Sequence, residues 1–153
     1  MTSLSDPVPL STPHFEKYYR KNKSFGGVFS GDIIQIEDNK QKKFYILNLD
    51  DETGPGTHWV VLFMHRYLTK RVPIYFDSFG VYPPKELNFI ENLYFIPYRI
   101  QATNSRICGL YSLYFINQAL KGRKYMDIVL DVDKNDHNEN ERRIYFHFSK
   151  VLI

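Results

Sequence analysis

The chain has a single cysteine, Cys108, among its 153 residues. No intrachain disulfide and no multi-cysteine zinc site can be built from it, so the fold calls for no oxidising compartment. Long apolar runs are also scarce. The first thirty residues lack the hydrophobic stretch of a signal peptide. The longest apolar-looking run, Ile107 to Ile116, is about half of what a membrane span needs. Charge of one sign is missing too: 20 Lys and Arg against 17 Asp and Glu leave a formal net charge of +3. That small excess is gathered into "KYYRKNK" (17–23), "KQKK" (40–43) and "KGRK" (121–124). Each cluster can meet phosphates, which makes DNA a candidate partner, but no groove-reading motif accompanies them. A soluble protein of the cell or virion interior, without membrane contact, is expected.

What is present suits one globular domain over 1–153, with the Pro- and Ser-rich residues 1–12 as an extended arm. Thr12 reads as the cap of a short helix "PHFEKYYRKN" with Pro13 at its first position. The glycines of "SFGGVFSGD" punctuate. Strands are expected at 32–37, 43–50, 57–65, 71–79 and 93–100, with a turn-rich loop at 50–57 and a short helix started by Pro84. Ile107 to Leu120 is apolar almost all round, the mark of a buried helix. A closing helix, "NERRIYFHFSKVL", follows the polar stretch 131–140. Strands first and a buried helix after, without βαβ alternation, predict an α+β fold with a mainly antiparallel sheet packed on one central helix.

Cys108 stands at the start of that helix, where free N–H groups and aligned peptide dipoles favour a thiolate. A nucleophile also needs a base, a group that orients the base, and donors for an oxyanion. His58 opens the strand "HWVVLFM", while His65 lies an odd number of residues along it and faces the other way. The strands "HWVVLFM" and "RVPIYFD" flank a short connection and should form a hairpin. A turn centred between Tyr67 and Leu68 sets His58 opposite Asp77, close enough for a carboxylate to hold an imidazole. Gln101, seven residues before Cys108, offers a side-chain amide beside the Cys108 backbone N–H as the oxyanion donors. One look-alike fails: "DVDKND" resembles the start of a calcium loop, but Asp136 stands at the obligatory Gly and Arg142 at the required Glu.

The blocks "GTHWVVLF" (56–63), "YFDSFG" (75–80) and "QATNSRICGLYSLYF" (101–115), with the weaker "GGVFSGD" (26–32), resemble the adenain family and the related ubiquitin-like-protein proteases. The resemblance covers about three fifths of the chain, residues 25–118. It implies a papain-related α+β fold and a cysteine endopeptidase without a cofactor. His58 would be the general base, Asp77 its acidic partner, Gln101 the oxyanion glutamine and Cys108 the nucleophile, with Trp59 packing beside the base. The compact form looks most like proteases of virophages, polintons and other double-stranded DNA viruses. It further implies cleavage after glycine, at Gly-Gly or Gly-x-Gly sites, in capsid or core precursors, by a monomer in the virion and infected cell. Adenovirus protease differs in using Glu as the acid and in a disulfide to an activating peptide, for which this sequence has no second thiol. Other expectations from the same chemistry are removal of ubiquitin-like modifiers and acetyl transfer. A non-enzymatic basic binding module would use the same residues structurally. The chain's own "SFGGVF" (24–29) fits the glycine rule for self-cleavage.

Overall fold

A computed structural model of the chain describes residues 10–30, 42–49, 58–67, 70–103 and 105–149. The strand expected at 32–37 and the loop at 50–57 lie outside the described residues. In chain order the elements are α1 (Thr12–Tyr18), β1 (Phe25–Ser30), β2 (Phe44–Asn48), β3 (Trp59–Tyr67), β4 (Lys70–Phe76), β5 (Tyr94–Phe95), α2 (Cys108–Leu120), α3 (Tyr125–Val129) and α4 (His137–Ser149). A single 3-10 turn at Lys85–Leu87 stands where a helix after Pro84 is expected. The cap of α1 is Ser11 rather than Thr12. The Ser11 N–H donates to His14 Nδ1 at 2.8 Å, which commits that histidine to the helix start.

The five strands form one sheet in sequential order. The longer pairings, β2 with β3 and β3 with β4, are antiparallel, and the outer pairings of β1 and β5 are parallel. The α+β sheet and central helix are as expected. β1, however, runs through glycines read as punctuation. At Gly26 a Cβ would lie 2.1 Å from a ring carbon of Tyr45, so the missing side chain makes room for a neighbouring ring rather than for a turn. The strand expected over 93–100 shrinks to two residues, with Pro97 unable to extend the ladder.

Alternation along the strands buries both faces of the sheet. One face carries Phe44, Ile46, Val61, Phe63, Ile74 and Phe76 against α1 and α2. The other carries Tyr45, Leu47, Val60, Leu62 and Tyr75 against Leu87 and the chain leading to β5. The central helix is fixed to its face by aromatic contact: Phe115 stacks on Phe76 with centroids 4.6 Å apart and meets Phe63 edge-on. Sheet, helix and hairpin are therefore packed into one frame by a two-sided core.

Candidate active site

Three of the four expected site residues occupy element ends. His58 immediately precedes β3, Asp77 immediately follows β4, and Cys108 opens α2. The hairpin register differs from expectation. Its ladder pairs Val61 with Phe76 and closes at Tyr67 with Lys70, two residues away from the pairing that would oppose His58 to Asp77. Continued to its end, this register sets His58 against Phe79, and the two rings lie 4.8 Å apart. A shift of two keeps the faces of the pleat in phase. Asp77 is thus the diagonal neighbour of His58, at a spacing that long side chains still span.

The contact is made all the same. His58 Nε2 lies 2.7 Å from Asp77 Oδ1. The same oxygen accepts the Phe79 N–H at 2.8 Å, an Asx turn that aims the carboxylate. The turn continues to Gly80, whose N–H donates to Asp77 O. At Gly80 φ is +67°, and a Cβ would meet the Tyr98 carbonyl carbon at 2.2 Å, so "DSFG" ends in the one residue that fits. The His58 backbone is tied down as well, its carbonyl accepting the Leu49 N–H at 2.8 Å.

With Nε2 engaged by Asp77, the other ring nitrogen, Nδ1, is buried and is the one left for the Cys108 thiol. The Cys108 thiol belongs to the same cluster and interacts with the ring. Burial on its own lowers the His58 pKa. Hydrogen bonding to Asp77, then to Cys108, with the field of both, outweighs it and raises the pKa to about 9. Cys108 is buried at the first helical position, and its sulfur accepts the Trp59 N–H at 3.5 Å. The Trp59 indole N–H donates to Leu10 O at 2.9 Å and its ring packs edge-on against Phe15.

Gln101 is fully buried and held at both ends of its amide. Oε1 accepts the Ser78 hydroxyl at 2.5 Å, and Nε2 donates to Ser105 O at 3.0 Å and Ser105 Oγ at 3.2 Å. Ser78 O also accepts the N–H groups of Ile100 and Gln101, so the turn that carries the acid is bonded directly to the loop that carries Gln101. Among the remaining histidines, His137 Nε2 bonds Lys134 O, and His147 meets Tyr114 and Phe148 edge-on, so neither joins the cluster. Ser78, Phe79 and Ser105 escape sequence reading. Only the Asp-x-Phe spacing of an Asx turn hinted at Phe79, and nothing marks a serine as the partner of a glutamine 23 residues away.

A sheet with a helix-start cysteine beside a histidine–aspartate pair is an arrangement that can carry out nucleophilic thiol chemistry. The particular relative is viral. The chain is 28% identical over 144 residues to a cysteine protease of African swine fever virus, a match taking in 79% of this chain and 52% of the relative. Two crystal structures of that virus's protease share the fold. The selenomethionine form superposes with a TM-score of 0.60 at 17% identity, over 94% of this chain and 68% of that one. The other gives 0.58 at 17% identity, over 84% and 63%. The chain is homologous to that viral protease and spans about half the length of the curated relative it matches. No protein-family model matches it.

Proposed function

We propose that the protein is a cysteine endopeptidase cutting after glycine, at Gly-Gly or Gly-x-Gly sites, in capsid or core precursors inside the virion and infected cell. The observation that carries the reading is the convergence of Asp77, His58 and Cys108 at one end of the sheet. Cys108 Sγ, its proton already passed to His58 Nδ1 to give a thiolate–imidazolium pair, attacks the scissile carbonyl carbon. The Cys108 backbone N–H and the Gln101 amide stabilise the oxyanion, with one Gln101 N–H turning from Ser105 to the developing charge. His58 then protonates the leaving amine, and the C–N bond breaks to leave a thioester. Water, deprotonated by His58, hydrolyses the thioester and regenerates the thiol. Asp77 holds the ring in one orientation and stabilises the imidazolium at each stage.

The chain's own Gly26–Gly27 lies within β1, at the register shift between the paired residues Phe25 and Val28, so cleavage there would first pull a strand from the sheet; substrates in trans fit better. DNA is retained in this reading as a partner for the opposite end of the sheet. There two basic clusters meet: Lys42 Nζ donates to Lys23 O, and Arg71 donates to Lys42 O. The deciding experiment is Cys108→Ala. It should abolish cleavage of Gly-Gly peptides with thermal unfolding unchanged, and full turnover by that variant would refute the assignment. Offering a capsid precursor beside a Gly-Gly-terminated modifier conjugate then separates maturation from deconjugation.

A further inference from the structure

The C-terminal helix α4 reaches the loop that holds Gln101 and grips it on both sides. On the preceding residue, Ile100 O accepts the Asn140 Nδ2 hydrogen at 3.0 Å. On the following residue, the Ala102 N–H donates to Glu141 Oε1 at 3.0 Å. Asn140 is fully buried, and its amide is otherwise spent on the backbone of Asp133, at 2.5 Å to the carbonyl and 2.7 Å from the N–H. The second carboxylate oxygen of Glu141 is buried beside the Tyr111 hydroxyl, which also lies 3.5 Å from Ile100 O. Burying an amide and a carboxylate in adjacent positions is costly unless each meets a partner. Packing α4 against α2 needs neither of them, since Ile144 and Phe148 supply the apolar face. The two polar groups meet the backbone groups flanking Gln101, whose own N–H is already fixed to Ser78 O.

We propose that Asn140 and Glu141 are positioning residues for the oxyanion donor Gln101, so that α4 takes part in the reaction without touching substrate. This rests on the reading of Gln101 given above. A donor must be held where the oxyanion forms, and a displacement of about 1 Å can cost on the order of a hundredfold in rate. Thiol alkylation needs Cys108 and His58 but no oxyanion hole, so it serves as the control that a general loss of structure would move.

The test compares wild type, Glu141→Ala, Glu141→Gln and Gln101→Ala on a fluorogenic Gly-Gly peptide, with iodoacetamide labelling of Cys108 alongside. Glu141→Ala should lower kcat roughly ten- to a hundredfold at near-constant KM. Alkylation should stay within about twofold of wild type, because the thiol and base are untouched. Glu141→Gln, which keeps an acceptor for the Ala102 N–H, should recover most of the loss. Unchanged kcat in Glu141→Ala, a parallel fall in alkylation, or no recovery in Glu141→Gln would overturn the proposal. Gln101→Ala at full turnover would sink the oxyanion reading instead. The clamp is then judged by the side-chain amide resonance of Gln101, which must shift in Glu141→Ala and which would refute the clamp by staying put.

Discussion

Asp77→Asn removes one charge and almost no volume, and its consequences can be worked from the site. The His58 pKa stands at about 9 against an ordinary 6.5. At 1.36 kcal/mol per unit, that difference is about 3 kcal/mol in favour of the imidazolium, most of it from Asp77 acting against burial. An amide oxygen still accepts from Nε2 and from the Phe79 N–H, so the turn survives, but the charge that holds the proton on the ring is gone. The ring should then titrate at or below 6.5, and kcat should fall by roughly a hundredfold, the rate equivalent of about 3 kcal/mol. Stability follows the same shift. A folded pKa above the unfolded one stabilises fully below pH 6.5, and that stabilisation is lost as pH rises through about 9. Wild type should therefore lose up to about 3 kcal/mol between those limits, and Asp77→Asn should show little of that slope. NMR titration of the His58 ring, turnover, and thermal unfolding from pH 6 to 10 read all three. A wild-type ring titrating near 6.5, or an Asn variant still titrating near 9, would refute the reasoning.

Gln101→Ala should cost about 2.7–4 kcal/mol of barrier, a hundred- to a thousandfold in kcat, with alkylation of Cys108 preserved. Gly80→Ala should destabilise by about 1–3 kcal/mol from its φ of +67° alone, with more from the contact to the Tyr98 backbone, measured by urea unfolding. Phe115→Ala removes a ring held between Phe63 and Phe76, and should cost about 3–5 kcal/mol by the same measurement.

The central helix was legible because a segment apolar all round has no water-facing side to offer. Cys108 at its start followed from that boundary. The His58–Asp77 pairing was legible through parity: the expected register was two residues off, yet an even slip keeps both side chains on one face. β1 was hidden because Gly26 serves the ring of Tyr45 instead of a turn. Ser78, Ser105, Asn140 and Glu141 were hidden for a different reason. Common polar residues acquire meaning only when tertiary folding brings a distant backbone to them. Glu141 lies 39 positions from the N–H it accepts.

The last ladder pair on the working side of the hairpin is Val61 with Phe76, so base and acid both project past the final rung. Their side chains are aligned by a ring contact and an Asx turn, and the backbone around them is hydrogen-bonded to Leu49 and to the Ile100–Gln101 loop, while the strands behind them are locked by a two-sided core. Such an end opens at lower free energy than the molecule as a whole. Mild denaturant should thus silence the protein while its far-ultraviolet circular dichroism is still native, with inactivation and melting appearing as two separate events.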